Sequence, residues 1–220
     1  MSDDFAFEPI RGLPEVPPEG ERILWQGSPD WRALAWRAFH IREVAFYFAA
    51  LVLAQPLLAL MQGGLGGATL VSMGWIALAG SLAMGCLGFI AWLSARGSVY
   101  TITSRRLVMR IGVALPITIN LPFALVAGAG MRLRRDGIGD LPVALKPGER
   151  VSYAVLWPHA RPWRLSRPEP MLRCVPDAAV VGEALGRALA AHAGQPSQVR
   201  VAASASTNDI RLPQGAAAAG

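Results

Sequence analysis

Charge is missing from one long stretch of this sequence: from Val44 to Ala95 there are 52 residues and no Asp, Glu, Lys, Arg or His. That absence excludes the stretch from the surface of a water-soluble domain. A hydrocarbon layer about 30 Å thick is crossed by roughly 20 apolar residues at 1.5 Å rise each, so the block is too long for one span and long enough for two. Its break is Gln62-Gly63-Gly64-Leu65-Gly66-Gly67, four glycines in six residues, which make a turn and a poor helix interior. The block also lacks the ionisable groups that substrate and ion pathways need at depth, which argues against a transporter.

Other scarcities narrow the reading further. Lysine occurs once, at Lys146, so the basic excess of 21 over 15 is almost entirely arginine. Such an excess suits anionic headgroups as well as nucleic acid, and the apolar block together with the lack of interleaved aromatics favours lipid. Two cysteines, Cys86 and Cys174, make neither a disulfide framework nor a metal-ligand spacing and read as buried thiols. The histidines His40, His159 and His192 all fall outside the uncharged block. No Ser-His-Asp arrangement, phosphate-cradling glycine loop or pair of carboxylates in an apolar setting is visible, so the expectation is a protein without catalysis, cofactor or metal. Met1 to Glu8 is acidic and polar, unlike a cleavable signal peptide, and the first span is expected to serve as its own insertion signal.

What is present orders itself around the block. Residues 1–29 read as an irregular, proline-rich arm ending in a short strand at Glu21-Arg22-Ile23-Leu24-Trp25-Gln26-Gly27. Residues 30–43 read as an interfacial amphipathic helix, capped by Asp30, with Trp31, Leu34, Ala38 and Ile41 on one face. Residues 44–95 are the two-helix hairpin, with spans of about Val44 to Met61 and Ala68 to Leu93 and a kink or shortening expected at Pro56. Arg22, Arg32, Arg37 and Arg42 precede the hairpin and Arg96, Arg105, Arg106 and Arg110 follow it. By the positive-inside rule both flanks, and both termini, are expected in the cytoplasm, and the location is a bacterial inner or intracytoplasmic membrane.

Ile111 to Met131 is a second uncharged run, of 21 residues, and a hydropathy window alone would make it a third span. Its pattern argues otherwise. Ile111, Val113, Leu115, Ile117, Ile119, Leu121 and Phe123 alternate with Gly112, Ala114, Pro116, Thr118, Asn120 and Pro122, a period of two that belongs to strands with one buried face. Two prolines would damage a helix there, and a third span would place Arg132, Arg134 and Arg135 on the side the charge rule disfavours. Further strands are expected at Gly97 to Thr103, Arg106 to Gly112, Ala124 to Arg135 before the turn Asp136-Gly137, Leu141 to Leu145, Val151 to Trp157 and Glu169 to Val175. The total is about seven short strands in residues 96–194, closed by a helix whose apolar side carries Val181, Leu185, Ala188, Leu189 and His192. Residues 195–220 read as a disordered tail rich in Ala, Ser and Gly.

Seven strands capped by a C-terminal helix resemble a pleckstrin-homology-like barrel or sandwich. Val99-Tyr100-Thr101-Ile102-Thr103-Ser104-Arg105-Arg106-Leu107-Val108 resembles the opening of bacterial domains of that kind attached to membrane hairpins. Tyr100, Thr101, Thr103 and Arg106 match its motif. Glu21 to Pro29 resembles the segment such proteins place before their first membrane helix. With Phe7 to Pro14, Trp31 to Arg42 and Trp163 to Asp177 added, the combination resembles the PuhB family of photosynthetic-complex assembly proteins of purple bacteria, over about residues 5–193. The resemblance implies a non-catalytic assembly factor whose partners are membrane lipids and subunits of the reaction centre or light-harvesting 1 ring. An antenna role is disfavoured because no histidine lies in the uncharged block to ligate a chlorophyll magnesium. The alternative is a general lipid-surface-binding envelope protein of the same architecture.

Two candidate surfaces follow. Gly74, Ala77, Ser81, Gly85 and Gly88 recur at spacings of three and four, so one face of the second span lets a helix approach closely. That helix is either the first span, through Ala50 and Ala54, or a client or second copy of the chain. Arg105, Arg106, Arg110, Arg132, Arg134 and Arg135 form the clearest basic cluster and are expected to face anionic lipid, at about 1 kcal/mol each near the surface.

Overall fold

A computed structural model describes residues 10–61, 63–113, 115–149, 151–194 and 200–201. Strand β1 (Ile23–Gly27) is followed by helices α1 (Trp31–Arg37), α2 (Ile41–Met61) and α3 (Gly67–Gly97), and only then by β2 (Val99–Thr103). β1 and β2 pair antiparallel, Gly27 opposite Tyr100 and Gln26 opposite Thr101. The stretch read from sequence as the end of the arm is therefore an edge strand of the barrel, and the three helices are inserted between two neighbouring strands of one sheet.

That sheet continues with β3 (Arg106–Ile111) and β4 (Ile117–Pro122) in the order β1-β2-β3-β4. The second sheet holds β5 (Val126–Leu133), β6 (Gly139–Leu145) and β7 (Met171–Val175), with a two-residue parallel pairing of Arg200–Val201 on β5. Helix α5 (Ala178–Ala193) closes the barrel. Its Val181, Leu185 and Ala188 enter a core with Tyr100, Ile102, Leu107, Met109, Leu121, Phe123, Leu141 and Leu172. Leu189 is half-buried against this core, whereas His192 is exposed and meets the edge of Phe123. Gly194, at φ 65°, ends α5 by donating its N–H to the Ala190 carbonyl, the left-handed cap that glycine adopts without strain. The fold is a pleckstrin-homology-like barrel carrying a hairpin of apolar helices.

Within the run Ile111 to Met131, β4 and the first part of β5 are strand, as its period of two implied, with a short 3-10 turn at Phe123–Leu125 between them. Ile119, Leu121 and Phe123 are buried while Thr118, Asn120 and Pro122 are exposed. Val113, Leu115 and Ile117 depart from the expected buried face, at 51%, 80% and 44% exposure, because they occupy the β3–β4 connection and the first position of β4, beyond the core. A second departure is Val151 to Trp157, read as a strand. It contains the single helical turn α4 (Tyr153–Leu156), since Tyr153 and Leu156, three residues apart, both turn toward the core.

Helices α2 and α3 are both long and apolar enough to cross a membrane. α2 continues past Pro56 to Met61, so the proline does not shorten it. The single helix expected over 30–43 is two: α1 stops at Arg37 and His40 takes φ 54° before α2 begins. α1 is also covered by protein. Ala33, Leu34, Ala35 and Phe39 pack with Ala91 and Ala95 of α3 and with Cys174 of β7 in a second, smaller core, while Trp31 and Trp36 stay exposed. Asp30 does cap α1, its Oδ1 accepting from the Ala33 N–H at 2.7 Å. The proposed tail of residues 195–220 lies outside the described residues except for 200–201.

Candidate functional site

Two places gather the residues singled out by sequence: the outer face of α3, and the joint where α3 enters the barrel. On α3, the stripe that contacts α2 is not the expected one. Gly80 does that work: a Cβ there would lie 2.7 Å from Phe48 of α2, so the two helices close on one another at this glycine. Gly74, Ala77, Ser81 and Gly85 are exposed on α3, and a Cβ on Gly74 or Gly85 would meet nothing within 4 Å. Only Gly88 turns inward, its Cβ position 3.9 Å from Ile41. The reading in which this face packs on Ala50 and Ala54 of α2 is thus corrected: four of its positions are open and Gly88 lies nearest Ile41, because α2 sits on the adjoining stripe.

The motif of β2 builds the joint. Ser98, the residue between α3 and β2, donates its hydroxyl to the Ser94 carbonyl at 2.6 Å. It must therefore accept from His159 Nε2, 3.0 Å away, which places the ring proton on Nε2 and leaves Nδ1 as acceptor. The Tyr100 hydroxyl donates to Nδ1 at 2.6 Å and accepts from the Arg173 N–H at 3.3 Å. Every polar atom of the two rings is satisfied with no water required. Ser98, Tyr100 and His159 are fully buried, and burial, helped by the nearby Arg173 charge, lowers the imidazole to a pKa of about 3, so it is neutral at physiological pH. Burial likewise pushes the Tyr100 phenol above its ordinary range. Burial and the Asp140 carboxylate push the Cys174 thiol up to about 12, which makes it an inert core thiol. Arg173 also donates to the Pro158 and Arg37 carbonyls, tying β7 to the end of α1.

The remaining motif residues lock β1 to β2. Gln26 Nε2 donates to Thr101 Oγ1 at 2.8 Å and to the Arg11 carbonyl at 2.7 Å. Thr103 Oγ1 accepts from the N–H groups of Arg105 and Arg106 and donates to the Arg106 carbonyl, closing the β2–β3 turn. Arg106 grips Glu21 with both arms, Nε to Oε1 at 2.8 Å and Nη2 to Oε2 at 3.0 Å. Burial of Glu21 works to raise its carboxyl. The hydrogen bonds from Arg106 and the charges of Arg106 and Arg105 outweigh it and hold the group below the usual carboxylate value. The two motifs noticed separately in sequence, Glu21 to Pro29 and Val99 to Val108, are two halves of one strand pair. The signal missed was His159, whose neighbours in sequence gave no hint of Ser98 and Tyr100.

The expected basic cluster does not assemble. Arg105 is exposed at the β2–β3 turn, Arg106 is engaged with Glu21, and Arg110 is buried in β3. Phe123 N–H bonds the Arg105 carbonyl, and β5 then runs the length of the barrel before Arg134 and Arg135, which are exposed beside the turn where Asp136 pairs with Arg37 of α1. Arg132 is exposed in β5, opposite Asp140. Strand geometry, at about 3.3 Å per residue, puts Arg105 and Arg106 roughly 20 Å from Arg134 and Arg135, while Arg110 sits at the other end of β3, opposite Val99. Among the described residues no group of three or more His, Cys, Asp or Glu could hold a metal.

This geometry defines a class: a pleckstrin-homology-like barrel whose first strand pair is interrupted by an apolar helical hairpin. Comparison with known proteins agrees. Residues 48–189 match the family described as "Bacterial PH domain", and the chain belongs to it. It is also 38% identical, over 201 residues, to a Rhodobacter capsulatus protein described as "Uncharacterized 23.7 kDa protein in puhA 5'region", a match covering 90% of this chain and 94% of the relative. The position of that relative beside puhA accords with the resemblance to the PuhB family. No solved structure matches.

Proposed function

We propose that this protein is a non-catalytic assembly factor for the photosynthetic reaction centre–light-harvesting 1 complex, crossing the inner membrane twice through α2 and α3 with both termini in the cytoplasm. The observation that carries the reading is the outward face of α3. Gly74, Ala77, Ser81 and Gly85 are left open by the chain's own packing, in a protein whose relative is encoded beside puhA. Small residues let a second helix come close enough for backbone-to-backbone packing, the main attraction available between helices in lipid. In this reading the hairpin holds a client membrane helix laterally, and the barrel, fixed to α3 through Ser98, holds a cytoplasmic segment of the same client. The proposed division of labour is residues 30–43 and 44–95 as membrane-proximal and membrane parts and residues 96–194, completed by β1, as the cytoplasmic part.

Deleting the gene tests this. Assembled core complex should fall while pigment synthesis continues, and unchanged core complex would sink the proposal. A reporter fused after Gly194 tests the topology, since periplasmic activity there is incompatible with two spans and cytoplasmic termini.

A further inference from the structure

We propose that the end of the barrel next to the helices sits in the headgroup layer of the bilayer, with Val113 and Leu115 of the β3–β4 connection and Trp157 as its lipid-contacting points. The inference rests on the membrane-crossing reading of α2 and α3. Strand β2 leaves the end of α3, and β3 runs antiparallel to it, Arg110 opposite Val99, so β3 heads back toward the helices. The contact is close. The position of a Cβ on Gly97, the last residue of α3, is already occupied by the Gly112 carbonyl, and Gly112 itself takes φ 129°, open to glycine and strained for other residues. Past this point Val113 and Leu115 are 51% and 80% exposed, beside the turn of α3 where Arg96 lies over the Trp92 ring, a pair suited to the membrane interface.

A second element reaches the same end independently. Trp157, 54% exposed, packs edge-on against Phe39, two residues before α2 begins. Two apolar points, set by different loops and both placed against the ends of the apolar helices, favour a lipid surface that is continuous with those helices. Aromatic and aliphatic side chains at this level gain by burial among headgroups without the cost of charge removal. The hydrophobicity that makes residues 111–131 resemble a span would then be divided between the barrel core and the bilayer surface.

The test is depth-dependent quenching in the full chain, with Cys86→Ala removing the exposed thiol and an environment-sensitive fluorophore on Leu115→Cys, Val113→Cys, Glu149→Cys or Leu82→Cys, reconstituted in vesicles of neutral and anionic phospholipid. Nitroxide on the lipid headgroup should quench the labels at 113 and 115 several-fold more than the label at 149, and mid-chain nitroxide should quench the label at 82. Labels at 113 and 115 that respond like the one at 149, with 82 still quenched, overturn this inference and leave the hairpin intact. Labels at 113 and 115 shielded from lipid nitroxide and from aqueous iodide alike overturn it in favour of a protein partner. Loss of mid-chain quenching at 82 overturns the hairpin and the inference together.

Discussion

Two stretches of this chain lack charge altogether, Val44 to Ala95 and Ile111 to Met131, and they fold in opposite ways. In the second, Ile119, Leu121, Phe123, Val126 and Met131 are buried in the barrel core. In the first, α2 has no buried residue, and Leu53, Leu57, Leu78 and Leu82 point away from the protein. The difference teaches that mean hydropathy does not decide between a span and a core strand. What decides is whether the protein itself covers the apolar side chains, and that is foreshadowed by period: two in the second stretch, none in the first.

The most damaging way to probe this comparison is to place a charge in each stretch. Leu82→Arg, on the exposed side of α3, should cost about 3 kcal/mol of membrane insertion and shift the protein out of the carbonate-resistant membrane fraction. Asn120→Arg, on the exposed side of β4, should change stability by less than about 0.5 kcal/mol and leave fractionation unchanged. Equal damage by the two would mean that β4 too meets hydrocarbon.

A smaller effect separates the two sides of α3. Gly80→Leu drives a side chain into Phe48 and should destabilise the hairpin by about 2 kcal/mol, seen as earlier thermal unfolding in detergent. Gly85→Leu enters open space, so the melting temperature should hold while co-purification of a client membrane helix falls. Retained co-purification would remove the small-residue face from the proposed function.

Much of this contrast was legible in the sequence. The uncharged block, its glycine break, the alternation after Ile111 and the terminal helix ending at Gly194 follow from local physics, because each depends on side chains within a turn or two of one another. What was not legible depends on contacts between distant segments. β1 looked like part of an arm because its partner, β2, lies across three helices. Which stripe of α3 meets α2 was settled by Phe48 finding Gly80, although Gly74, Ala77, Ser81 and Gly85 looked equally suitable. The arginines near residues 105 and 134 read as one patch in a linear list, yet a full strand divides them.

The Glu21–Arg106 pair sharpens the comparison from the barrel's side, since it fastens the strand before the hairpin to the strands after it. Glu21 is 3% exposed and Arg106 26%, so Glu21→Ala should cost about 2 kcal/mol by leaving a part-buried guanidinium without its carboxylate. Because the folded carboxyl is held below its ordinary value, its contribution is complete above the unfolded pKa and is lost as pH falls through the folded one. The unfolding midpoint of the variant in urea should therefore approach that of the wild type in acid. A gap independent of pH would assign the loss to packing instead.

The smallest effect concerns His159, which links the two regions directly. Its pKa falls from 6.5 in the unfolded chain to about 3 in the joint, so between these values the unfolded state binds the extra proton and stability drops as pH drops. The contribution is fully present above pH 6.5, and one such proton amounts to about 1 kcal/mol between pH 6.5 and 5.5. That window lies above the 4.5 reference of Glu21, so the carboxylates contribute little slope there. His159→Gln removes the titration while an amide can still meet Ser98 or Tyr100, and it should flatten the decline in urea midpoint between pH 6.5 and 5.5. An unchanged slope would mean that the imidazole is open to water in the folded protein, and that the joint between α3 and the barrel opens far more readily than its hydrogen bonds imply.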